Sequence, residues 1–148
     1  MDKDVIEKEL LSSKDNVFVC DLKSFSADLR EKSKTHCYFI VQSTDAREKI
    51  SSLARNLLGK GCRDFHFCGL HEPLWHLEFD SVYVDLFQDG DGENVALTSG
   101  YETLEEFAEE LFSSIDYWCV NEDHYLIYDD EEEYKKLLKY WKGEEWKY

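Results

Sequence analysis

Apolar positions along the chain recur at two spacings, and the alternation between them outlines an α/β fold. NVFVCDL at 16–22 is a short run of β-branched and aromatic residues and predicts a strand. CYFIVQ at 37–42 predicts a second strand, apolar on both faces as in a buried parallel sheet. Over 45–58 the spacing changes to that of a helix: Ile50, Leu53, Ala54, Leu57 and Leu58 fall on one face. Ser43 or Thr44 can cap this helix, and Gly59 and Gly61 end it. RDFHFCG at 63–69 then predicts a third strand, and strand, helix and strand in succession make a βαβ unit.

The rest of the chain is less even. DKDVIEKELLS at 2–12 has a poor helical stripe, and SFSADLREKS at 24–33 fits a short helix or a loop. HEPLWHLEFD predicts a short helix with Pro73 in its first turn, which SVYVDLFQ either continues or leaves for an edge strand. DGDGEN at 89–94 is a turn and VALTSG at 95–100 a fourth strand. Thr103 and Glu106 then form a capping box, and Leu104, Phe107, Ala108, Leu111, Phe112 and Ile115 an apolar helix face. DYWCV and HYLIYDD read as a hairpin or two short strands. Asp129 and Asp130 cap a last helix with acidic residues in its first turn and lysines later, an order that suits the helix dipole. The tail GEEWKY frays or docks through Trp146.

These elements predict one α/β domain over 1–148, with a mostly parallel central sheet of four to six strands and helices on both faces. The alternative is α+β with an antiparallel C-terminal hairpin. At 43% apolar and 15% aromatic residues, the chain carries enough material for a sizeable core. It has neither an apolar signal-peptide core nor a membrane-spanning run. Cys20, Cys37, Cys62, Cys68 and Cys119 are odd in number and widely spaced, which favours reduced thiols and a cytoplasmic setting.

Charge changes the picture most. The net charge is −16, and its distribution is uneven. Residues 1–71 hold 11 acidic and 12 basic side chains, whereas 72–134 hold 20 acidic and no Lys or Arg. This disfavours nucleic acid and anionic membrane as ligands and favours a basic protein partner. The candidate binding residues are Glu102, Glu105, Glu106, Glu109 and Glu110 around one helix, and Asp129, Asp130, Glu131, Glu132 and Glu133 at the start of another. Interleaved aromatics, among them Tyr101, Tyr117 and Trp118, add contact material.

Motifs for chemistry are weak. Cys62, His66, Cys68, His71 and His76 invite a zinc reading, with the first three on one face of a strand, but no paired-ligand spacing occurs. Neither a metal nor a cofactor is expected anywhere in the chain. Cys68, at a strand end before a glycine, is the candidate nucleophile of an alternative reading as a small Cys/His enzyme. The run from Asp85 to Glu93 fails as a calcium loop, because Phe87 and Ala96 stand where oxygen ligands are needed. No phosphate-binding glycine motif or hydrolase elbow appears.

The segment REKISSLARNLLGKGCRDFHFCGLHEPLW, followed by VALTSGYETLEEFAEELF, resembles a small bacterial domain family of unknown function over roughly residues 45–115. The resemblance is carried by Gly61-Cys62, Gly69, Trp75, Thr98 and the glutamate-rich helix from Thr103. It implies no assigned activity. By type rather than by sequence, the small acidic profile is similar to immunity proteins that neutralise nuclease toxins. The leading expectation is therefore a non-enzymatic inhibitor of a basic partner such as a bacterial toxin domain. The alternatives are the Cys68 enzyme and an acidic nucleic-acid mimic acting on host or phage machinery.

Overall fold

The computed structural model of the chain describes residues 15–26, 34–90, 92 and 95–141. Five strands form one all-parallel sheet: β1 (Val17–Asp21), β2 (Thr35–Ile40), β3 (Asp64–Cys68), β4 (Leu97–Tyr101) and β5 (Asp123–Tyr128). Their spatial order is β1-β5-β2-β3-β4. Four helices join or follow them: α1 (Arg47–Gly59), α2 (Glu72–Leu86), α3 (Leu104–Ser113) and α4 (Glu131–Trp141). The expected βαβ unit is β2-α1-β3.

Apolar side chains on both faces of β2, β3 and β5 dictate two cores. Phe39, Phe65, Phe67 and Ile127 face α1 and α2, where they meet Ile50, Leu57, Trp75 and Phe79. Tyr38, Ile40, Leu126 and Tyr128 face α3 and α4, where they meet Phe107, Leu111, Tyr134 and Leu137. Helices therefore cover both faces, and the parallel α/β expectation holds.

Two local readings are corrected, and one left open is decided. DYWCV is not a strand. After Ser113 the helix continues as a wider π-helical turn over Ser114–Trp118, which buries Ile115 and turns Tyr117 and Trp118 outward. The final strand is consequently β5, parallel to both neighbours, so no antiparallel hairpin forms. Of the two courses open to SVYVDLFQ, the structure takes the first: it continues the helix, which runs unbroken over Glu72–Leu86. Ser43 and Thr44 do not cap α1; its N-cap is Ala46, without a side-chain bond. The expected helix at 2–12, residues 27–33 of the segment at 24–33, and the GEEWKY tail lie outside the described residues. The described part of 24–33 adjoins a short 3-10 turn, Leu22–Ser24. Among the described residues, no helix is long and apolar enough to cross a membrane.

Candidate functional site

In open parallel sheets, ligands occupy the crevice beyond the C-terminal strand ends where the winding reverses. Here that point lies between β2 and β5. The chain leaves β2 for α1 on one face and leaves β5 for α4 on the other. The protein fills this crevice with its own side chain. Asp129 Oδ1 accepts the Gln42 N–H at 2.7 Å, and Oδ2 accepts the N–H groups of Ser43 at 3.0 Å and Thr44 at 2.7 Å. Three successive backbone donors form an anion-binding concavity, and the carboxylate satisfies it internally. Beside it the Leu70 N–H donates to Gln42 Oε1 at 2.5 Å. Gly69 has φ +114°, and a Cβ there would lie 2.7 Å from the Val41 carbonyl oxygen, so only glycine fits.

Cys68 ends β3 next to this region. Burial, Glu133, Glu72 and Glu106 push its thiol up to about 12. A nucleophilic thiol needs the opposite environment. The nearby histidines are engaged elsewhere: His66 with Asp64 and Tyr101, His76 with Glu72 and Asp80. The Cys62–His76 stretch does not converge. Cys62 packs in the α1/α2 core with its Sγ 3.5 Å from that of Cys37, whereas His66 and Cys68 face α3.

An open cleft of about 610 Å³ lies at the opposite, N-terminal ends of the strands. His36, Asp64 and Tyr101 reach it from β2, β3 and β4, and Glu110, Ser114, Trp118 and Cys119 from α3 and the turn after it. Its floor is a hydrogen-bonded chain. Glu122 Oε1 lies 2.6 Å from His36 Nε2, and His36 Nδ1 lies 2.5 Å from Asp64 Oδ2. Asp64 Oδ2 is also 2.8 Å from His66 Nε2, and His66 Nδ1 is 2.8 Å from the Tyr101 hydroxyl. Two carboxylates bracket His36, an arrangement that favours both ring nitrogens as donors and so the imidazolium form. Burial opposes this charge, but the bonds to Asp64 and Glu122 outweigh it and raise the His36 pKa. Burial also opposes ionisation of Asp64, yet bonds from His36 and His66 hold it well below the usual carboxylate range. The His36 bond lowers Glu122 as well.

Beneath this chain lies His124, fully buried and hydrogen-bonded to the Ser114 hydroxyl at 2.8 Å. Burial, with the charge of His36 adding to it, drives its pKa down to about 4. The two histidines act on stability with opposite sign. His36, raised, contributes stability that is present below about pH 6.5 and lost as pH rises through its folded value. His124, depressed, contributes stability that is present above about pH 6.5 and lost as pH falls. In chelator, stability should therefore peak near pH 6.5 and fall by about 2 kcal/mol by pH 5. Urea titrations across this range test it, and His124→Gln should flatten the acid side. Stability that keeps increasing as pH is lowered to 5 would show that His124 is protonated in the fold.

The predicted acidic residues divide into two groups. Glu102, Glu105, Glu106 and Glu109 are exposed on and before α3, and Glu110 is half-buried at the cleft. None of them pairs with Lys or Arg among the described residues. Thr103 Oγ1 accepts the Glu106 N–H, the N-cap half of the expected capping box, while the Glu106 carboxylate accepts from the Thr103 hydroxyl rather than from its backbone N–H. In the second group, Asp129 is spent on the β2 loop and Asp130 accepts the Glu133 N–H at the start of α4. Glu131 is exposed, while Glu132 and Glu133 pair with Lys135 and Lys136 at 3.3 and 2.9 Å. The two groups draw together at Cys68, whose thiol feels both Glu106 and Glu133.

Sequence reasoning missed the cleft, because His36, Asp64 and Glu122 are single polar residues far apart in the chain. Their common signal is position, each at or just before the start of a strand, and reading it requires the strand order. Of the aromatics expected to add contact material, Trp118 stands at the cleft's rim, 70% exposed, and Tyr117 is 58% exposed, whereas Leu97, 64% exposed at the same rim, carries no signal in the sequence. No family model matches the chain, and neither a curated protein nor a solved structure matches it.

Proposed function

We propose that this chain is an acidic protein-binding domain of the immunity or inhibitor type, which neutralises a basic partner such as a nuclease toxin domain by occluding its cationic site. The observation that carries this reading is the surface of α3. Glu102, Glu105, Glu106 and Glu109 stand exposed without a Lys or Arg partner among the described residues, and Glu110, on the same helix, lines the cleft with exposed Trp118 and Leu97. Like charges at one and two turns' spacing repel and destabilise the free helix. A basic partner removes that repulsion, and the adjacent aromatic and aliphatic side chains supply desolvated contact area. A wide π-helical turn, of a kind frequent at functional sites, sets Trp118 at the cleft rim.

The α3 surface takes precedence over α4, where lysines offset two of the acids. Binding rather than catalysis also fits the filled crevice at the strand ends and the protonated Cys68. All five thiols are unpaired by disulfides, which supports a cytoplasmic setting.

Reversing Glu105 and Glu109 to lysine tests the proposal, because both are exposed and neither enters the cap or the cleft. Binding to a cognate basic partner should weaken at least tenfold, or about 1.4 kcal/mol. Unchanged affinity in a folded variant would remove α3 from the interface.

A further inference from the structure

A second constellation lies at the mouth of the cleft, and it does not depend on the protein-binding reading. One ligand atom from each of His36, Cys119 and Glu122 lies within 4.8 Å of the other two. We propose that His36 Nε2, Cys119 Sγ and a Glu122 carboxylate oxygen form a three-ligand site for a divalent transition metal of the zinc class, with a fourth position open to the cleft for water. These ligands are distinct from the Cys62–His76 stretch, which does not converge.

The donor set selects the ion. One imidazole, one thiolate and one carboxylate suit zinc and its neighbours, whereas calcium and magnesium require oxygen ligands. At zinc bond lengths of about 2.0–2.3 Å, tetrahedral ligand atoms stand roughly 3.3–3.7 Å apart. His36 Nε2 and Glu122 Oε1, at 2.6 Å, would separate by under about 1 Å as the metal replaces the proton between them. That proton and the Cys119 thiol proton leave to solvent.

The surroundings are built as metal sites require. His36 directs its other nitrogen, Nδ1, to Asp64 at 2.5 Å, the carboxylate–histidine arrangement that fixes the ring of a metal ligand. Cys119 and Glu122 lie three residues apart in one turn, closed by the Glu122 N–H on the Cys119 carbonyl at 2.9 Å. The Asn16 side-chain amide donates to the Val120 and Glu122 carbonyls at 2.8 and 2.7 Å, tying this turn to the start of β1. Two of the three ligands are thus positioned before any ion arrives. His36 and Cys119 both line the cleft, which gives the ion its route in and leaves one coordination position facing solvent.

The test uses the whole chain, stripped with chelator and desalted, then titrated with zinc or cobalt. Expected are one equivalent of tightly bound metal and, with cobalt, a thiolate-to-metal charge-transfer band. Cys119→Ser should abolish that band and weaken zinc binding at least tenfold. Glu122→Gln should weaken zinc binding while keeping the band. Asp64→Asn should weaken binding by about 10–100-fold through the orientation of His36. Cys20→Ser, at the other partly exposed thiol, should change nothing. Circular dichroism confirms folding of each variant. Absence of saturable uptake, uptake without the charge-transfer band, or a folded Cys119→Ser variant that binds like the parent chain would overturn the site.

Discussion

Truncation of Leu111 to alanine is expected to lower stability by about 2–5 kcal/mol in chemical denaturation. Leu111 is fully buried on α3 in the core formed with Tyr38, Leu126 and Leu137. The loss combines transfer of the removed methyl groups to water with the cavity left behind. Its size has functional weight, because α3 carries the acidic surface and leads directly into the turn that holds Trp118 and Cys119. A loss below about 0.5 kcal/mol would mean that the helix does not pack as described.

Asp129→Ala should cost about 3 kcal/mol, because hydrogen bonds to a charged acceptor are worth roughly 1.5–3 kcal/mol each and do not sum independently. Three backbone donors, at Gln42, Ser43 and Thr44, lose their acceptor, and the loops leaving β2 and β5 lose their tie. Asp129→Asn should retain part of the stability, since its single carbonyl oxygen can still accept. Equal losses in both variants would locate the effect in the charge alone; no loss in either would show that water replaces the carboxylate. The sequence places Asp129 in a candidate surface acidic group, but its location turns it into an internal ligand for the chain's own backbone.

The elements legible in the sequence are those whose periodicity and caps agree. In α3, the Thr103–Glu106 box and six apolar positions at helical spacing mark one helix without ambiguity. In β2, apolar residues on both faces mark a buried parallel strand. By contrast, α2 buries Trp75, Phe79 and Val82 but also exposes Leu77, Val84 and Leu86, so no clean stripe separates helix from strand. DYWCV carries strand-like aromatics, yet the helix before it continues into that segment as far as Trp118, because Ile115 completes the α3 face. The cleft was beyond local reading. Glu122 and His36 meet only because β5 inserts beside β2, a placement governed by pairing between segments over 80 residues apart.

Charge distribution identified α3 from sequence, and the structure sorts the acids by what they touch. Asp129 and Asp130 serve the fold, Glu132 and Glu133 meet lysines, and the exposed glutamates of α3 have no Lys or Arg partner among the described residues. Exposed charges act mainly through long-range attraction, which salt screens with a Debye length of about 8 Å at physiological ionic strength. Their contribution should therefore appear in the association rate more than in the dissociation rate.

The most direct measurement of the account is the association rate with a cognate basic partner, taken across a salt series for three proteins: the parent chain, Glu105→Lys with Glu109→Lys, and Glu48→Lys on the exposed side of α1. The account predicts a steep fall with salt for the parent chain, a slower and flatter response for the α3 reversal, and parent-like behaviour for Glu48→Lys. A parent-chain rate indifferent to salt, or an α3 reversal that associates like the parent chain at every ionic strength, would contradict it.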